Sequence, residues 1–103
     1  MKINWSEKSK DDLRDILSYV ASNFGCKKAN DVLVEIRSTV GLLKDFPNIG
    51  KSFVQDGELG IEYFSLASKL NNIVYYIDGE TVIIVSIWQN RQDINALVER
   101  LSQ

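Results

Sequence analysis

The chain opens with Lys2, Ile3, Asn4 and Trp5, a polar–apolar rhythm of period two that fits a short first strand. Ser6 then stands where a helix N-cap is wanted. Glu7, Asp11 and Asp12 follow near the positive end of the helix dipole. Leu13, Ile16, Leu17, Val20, Ala21 and Phe24 recur every three or four residues, one apolar stripe at helical period. Gly25 is free to take positive φ and end that helix. A second stripe runs through Ala29, Val32, Leu33, Ile36, Val40 and Leu43, and Phe46 extends it by a turn. Pro47 cannot continue a helix, so Pro47-Asn48-Ile49-Gly50 reads as an exit turn. Two stripes joined closely around Gly25–Lys27 predict an antiparallel helical hairpin.

The rhythm changes after residue 50. Ile61 to Leu66 is a short strand candidate. Asn72-Ile73-Val74-Tyr75-Tyr76-Ile77 is a strong one, rich in β-branched and aromatic residues. Asp78-Gly79 suits a two-residue type I′ turn. Thr81 to Trp88 forms the next strand. Both strands are nearly continuously apolar, which predicts a central hairpin covered on at least one face. Asp93 can cap a last helix whose inner face carries Ile94, Leu97, Val98 and Leu101. The order β-α-α-β-β-β-α separates helices from sheet along the chain. The expected class is α+β, a helical hairpin packed on a small, mostly antiparallel sheet with a C-terminal helix. At 103 residues, one domain spanning 1–103 is expected.

Composition narrows the chemistry. The chain has no histidine and one cysteine, Cys26. Histidine-based triads and the commonest transition-metal ligand are therefore excluded, and no internal disulfide can form. Neither a cofactor nor a metal is expected. The single cysteine makes a reducing compartment the expectation, and with no apolar leader or membrane-length run in the sequence a cytoplasmic setting is expected. Net charge is −2 but unevenly spread: residues 1–50 carry eight Lys/Arg against seven Asp/Glu, and residues 51–103 four against seven. A pI near 5.0 argues against strong non-specific nucleic-acid binding.

Few residues carry candidate chemistry. The six glycines form no phosphate-cradling loop. Cys26 has no base to activate it and reads as an incidental thiol beside Lys27 and Lys28. Asp11, Asp12 and Asp15, interleaved with Lys8 and Arg14, read as a solvated helix face. The aromatics Tyr63, Phe64, Tyr75 and Tyr76 read mostly as packing. The segment Trp88-Gln89-Asn90-Arg91-Gln92-Asp93, where a strand meets a helix start, stands out. Arg91 offers a planar donor fork for phosphate or carboxylate, or an ion pair with Asp93; spacing alone leaves both open.

Several segments together resemble the RelE/ParE toxin superfamily. The opening Ile3 to Leu13 with Ile16 and Tyr19 is similar to its strand, Ser/Thr-capped helix and D-L-x-x-I-x-x-Y stripe. Ala29, Ile36, Leu43 and Phe46-Pro47-Asn48-Ile49-Gly50 resemble its second helix and L-x-x-x-P-x-x-G exit. Ile73 to Gly79 resembles its Y-R-I-x-Y-x-I strand, and Ile83 to Asp93 its terminal strand and R-x-D element. The resemblance implies a bacterial type II toxin bound by a cognate antitoxin. It further implies either ParE-like inhibition of DNA gyrase or RelE-like cleavage of mRNA on the ribosome.

The departures from that pattern choose between branches. Gly60-Ile61 is followed by Glu62 where the superfamily often has Arg. Asn71-Asn72-Ile73 lacks the Arg of Y-R-I, and Gln89 replaces a His found in some members. Cleavage needs cations for the developing phosphorane charge and a base for the 2′-hydroxyl. Each missing donor typically costs about 100-fold or more in rate. Only Arg91, Lys69 and Lys51 remain in this half for such work. The expected function is therefore a ParE-like, target-inhibiting toxin, with Arg91, Trp88, Gln89 and Lys69 as target-binding residues. A RelE-like endonuclease using Arg91 and Lys69 catalytically is the alternative, and a degenerate toxin that only binds antitoxin is the third.

Overall fold

A computed structural model describes residues 1–56 and 60–89, with the backbone alone at 53–56. The elements are β1 (Lys2–Trp5), α1 (Glu7–Phe24), α2 (Cys26–Leu42), β2 (Lys51–Asp56), β3 (Ile61–Ser68), β4 (Asn71–Asp78) and β5 (Thr81–Gln89). The five strands form one sheet in the order β1-β5-β4-β3-β2. β1 runs parallel to β5, and the other pairs are antiparallel. Two helices on a five-stranded mixed sheet make the chain α+β. The expected helix after Asp93 lies outside the described residues.

Local chemistry sets the boundaries. Ser6 caps α1, its Oγ accepting from the Ser9 amide at 3.0 Å. Gly25, at φ 93°, donates its amide to Ala21 O at 3.0 Å and closes α1. The same glycine starts α2, so the hairpin turns through one residue, tighter than the expected Gly25–Lys27 link. Helix α2 ends at Leu42, earlier than the apolar stripe suggests. Phe46 lies beyond its end and is 57% exposed. Pro47 is the reason: it removes an amide donor and disfavours helical geometry just before it.

The alternation along β3, β4 and β5 decides which side chains meet the helices. Ile73, Tyr75, Val82, Ile84 and Ile87 face them and join Ile16, Ile36, Val40 and Leu43 in the main core. Val74 and Trp88 form a smaller cluster with Tyr63 and Val85. Strand β2 was not among the expected strands. It forms an edge, with a register shift between Ser52 and Val54, and an edge needs little apolar sequence to pair.

One buried phenol holds the exit turn. Tyr75 Oη donates to Pro47 O at 2.7 Å and accepts from the Gly50 amide at 3.0 Å. A Cβ at Gly50 would lie 2.5 Å from that oxygen, so glycine is required by close approach.

Candidate functional site

Three of the expected target-binding residues come to one end of the sheet. Lys69 and Leu70 form the turn between β3 and β4. Asn71, the first residue of β4, pairs with Gln89 at the end of β5. Asn72 pairs with Trp88. Arg91 lies two residues beyond Gln89 and outside the described residues. Lys51 heads β2, three strands from β5 and so about 14 Å away by strand spacing; it does not join this group.

The geometry of that end limits its chemistry. Trp88 is 6% exposed and is held in the smaller cluster with Val74, so its ring serves packing rather than an open surface. Lys69 adopts φ 47°, an uncommon left-handed conformation for a residue with a side chain. Its ammonium stands 3.9 Å from Glu35 of α2, an exposed and weak contact that leaves the cation largely in solvent. Below it, Thr39 Oγ1 and Ser68 Oγ share a buried hydrogen bond of 3.0 Å that ties α2 to β3. Leu70, at the tip, is 73% exposed. Among the described residues no three His, Cys, Asp or Glu side chains gather as a metal site. Burial of Tyr75 pushes its phenol above the usual tyrosine range, against the opposing effect of the Gly50 amide, and its place in the core commits it to structure.

Asp12 departs from expectation. It is not on a fully solvated face: its side chain is 18% exposed. Its Oδ2 accepts from Ser86 Oγ at 2.6 Å and from the Ile87 amide at 3.2 Å, while Lys8 binds the carboxylate at 2.8 Å. Asp11, by contrast, is exposed and makes only a 3.5 Å contact with Arg14. The cause lies in β5. Val74 pairs with Ser86 but Tyr75 pairs with Ile84, leaving Val85 as an extra residue in a bulge. The bulge turns Ser86 toward α1. A sequence clue existed, since Ser86 is the one hydroxyl inside the otherwise apolar run Val82–Trp88.

A larger feature lies on the other flank. Among the described residues no strand pairs with the outer edge of β1, which is terminal in the sheet. Beside it a groove of about 1000 Å³ opens between β1 and the two helices. Its floor includes Ile3, Trp5, Leu13, Leu17, Leu33 and Val40. Its rim carries Lys2, Lys10, Arg14, Arg37 and Lys44, and among the described residues no Asp or Glu lines it. Lys10 and Arg14 contact Glu7 and Asp11 at 3.5 Å, exposed pairs that are worth little. Lys2, Arg37 and Lys44 make no ion pair among the described residues. An apolar floor, a cationic rim and an open strand edge are together the features of a site for a protein segment.

Comparisons with known proteins agree with this architecture. The model of the ParE toxin of type II toxin–antitoxin systems (parDE) matches residues 3–94. The chain therefore belongs to the ParE toxin family, within the RelE/ParE superfamily. Among solved structures, it is similar to a chain of the chromosomal ParDE toxin–antitoxin system from P. aeruginosa. That match has a TM-score of 0.68 and 21% identity, covering 86% of this chain and 95% of the other. It is also similar to the conserved hypothetical protein HP0894 from Helicobacter pylori, with a TM-score of 0.50 and 15% identity over 89% and 97% of the two chains. No curated protein matches the chain in sequence. ParE toxins pair with an antitoxin, ParD in the ParDE system. No helix among the described residues is long and apolar enough to cross a membrane.

Proposed function

We propose that this chain is a target-inhibiting toxin, acting through protein contact on a target such as DNA gyrase in the cytoplasm, and neutralised by a cognate antitoxin. The β1–hairpin groove is the antitoxin's seat. The observation that carries this reading is the groove itself, with an apolar floor and, among the described residues, five lysine and arginine side chains and no carboxylate at its rim. The segment that fits it is amphipathic, placing apolar side chains on Trp5, Leu13 and Leu17 and carboxylates toward Arg37 and Lys44. It can also hydrogen-bond along the open edge of β1. The sheet end at Lys69 and Gln89, continuing in sequence to Arg91, is the target-contacting region.

The ribonuclease alternative finds less support. Glu62 and Asn72 stand where the superfamily pattern has Arg, and Tyr75 is committed to structure. Two assays on the purified chain separate the readings. Inhibition of gyrase supercoiling, relieved by antitoxin, supports the proposal. Ribosome-dependent mRNA cleavage abolished by Arg91→Ala, with supercoiling untouched, establishes the alternative instead. Expression without antitoxin that leaves growth unharmed favours a degenerate toxin.

A further inference from the structure

The start of α1 grips the bulge of β5 at several successive residues. The Ser6 amide donates to Ile84 O at 3.0 Å, and Ser6 Oγ donates to Val85 O at 3.0 Å. Asp12, almost two turns further along α1, accepts from Ser86 Oγ and from the Ile87 amide through one oxygen, Oδ2. Lys8 holds the same carboxylate from outside, at 2.8 Å to Oδ1 and 3.1 Å to Oδ2. The extra residue at Val85 would otherwise leave the ladder locally loose, because a bulge interrupts regular pairing. Beyond the bulge β5 continues through Ile87, Trp88 and Gln89, which pair with Ile73, Asn72 and Asn71 of β4.

We propose that Asp12 is a positioning residue: by fixing the β5 bulge it aims the strand end that carries Gln89 and leads in sequence to Arg91. The proposal rests on the reading that this end meets the toxin's target. A carboxylate serving stability alone would be replaceable by any change that restores stability. A positioning carboxylate requires an acceptor at the place of Oδ2. Asparagine supplies one and keeps the side-chain length, losing only the attraction to Lys8, a partly exposed pair of small worth. Glutamate adds a methylene and displaces the acceptor. Alanine removes it and leaves the Ser86 hydroxyl and Ile87 amide without it.

The test compares wild type with Asp12→Ala, Asp12→Asn, Asp12→Glu and Ser86→Ala, all as full-length chains. Three readouts are used: amide hydrogen exchange at Ile87, antitoxin affinity, and growth arrest on expression in bacterial cells. Asp12→Ala should raise Ile87 exchange at least about tenfold, the scale of a lost charge-assisted hydrogen bond. It should weaken growth arrest while leaving antitoxin affinity within about twofold, since Asp12 does not line the groove. Asp12→Asn should restore both Ile87 protection and growth arrest, and Asp12→Glu should restore neither. Ser86→Ala removes one of the two contacts to Asp12 Oδ2 and covers the case in which Asp12→Ala does not fold; it should raise Ile87 exchange and weaken arrest together, each less than Asp12→Ala does. Wild-type exchange at Ile87 in Asp12→Ala overturns the proposal, as does growth arrest equal to wild type in both Asp12→Ala and Ser86→Ala. A wild-type chain that arrests no growth refutes the toxin reading and the functional half of the proposal with it. The Ile87 exchange then still decides whether Asp12 sets the bulge.

Discussion

Replacing Tyr75 by phenylalanine isolates the staple that closes the exit turn. The phenol is fully buried, and its ring stacks on Phe64 with centroids 5.3 Å apart and planes 17° from parallel. Phenylalanine keeps that stacking and deletes one oxygen. The deletion removes the 2.7 Å bond to Pro47 O and the 3.0 Å bond from the Gly50 amide. Leaving such groups unsatisfied costs about 1–3 kcal/mol. For a domain of this size that corresponds to about 4–8 °C of Tm per kcal/mol. Urea unfolding followed by circular dichroism should show a lower midpoint with an unchanged slope. Gly50→Ala should cost as much, because its Cβ would meet Tyr75 Oη at 2.5 Å. The two changes should be less than additive, since phenylalanine removes that oxygen. The pH dependence has a definite sign. Burial raises the Tyr75 pKa above its ordinary 10.0, so the folded chain holds that proton more tightly than the unfolded one. The resulting stability is full below pH 10 and is lost as pH rises through the folded value. Tyr75→Phe should flatten the stability loss above pH 10. A variant within about 0.5 kcal/mol of wild type, with the same alkaline slope, would refute the reasoning.

Other changes test separate parts of the structure. Ser6→Ala removes the α1 cap and the bond to Val85 O; a cost of about 1–3 kcal/mol in urea melts is expected. Lys69→Gly relieves the left-handed backbone at φ 47°. It should leave stability unchanged or raise it by up to about 1 kcal/mol, while growth arrest weakens through loss of the cation. A stability loss beyond 1 kcal/mol would show that the side chain contributes more than its backbone costs.

How much of this was legible beforehand depended on whether the signal was local. The helix carrying the stripe from Leu13 to Val20 and the glycine stop at Gly25 are properties of neighbouring residues, and each appears where the pattern places it. The β4–β5 turn falls one residue later than expected, at Gly79-Glu80, because Asp78 still pairs with Thr81, and only Gly79 takes positive φ, so it is not type I′. Helix α2 kept its stripe but ended before Phe46, because Pro47 outweighed one more apolar position. Strand β2 was hidden by its edge position, where Lys51 and Ser52 satisfy pairing without an apolar face. Asp12 was misread because its partners, Ser86 and Ile87, are distant in sequence and meet it only through a bulge. The groove was hidden for the same reason: Trp5, Leu17, Leu33 and Val40 each read as core-facing positions. Only the placement of β1 beside β5, at the sheet's end, leaves the space between β1 and the two helices open.

Reversing two of the groove's cations tests most directly whether that groove seats an acidic partner. The measurement is calorimetric titration of the cognate antitoxin into wild type and into Arg37→Glu/Lys44→Glu, at low and high salt. Both side chains are exposed and make no ion pair among the described residues, so the fold should hold and melts should be unchanged. The account predicts affinity at least about tenfold weaker in the double variant, with a reduced dependence on salt. Equal affinity and equal salt dependence in the two proteins would contradict it.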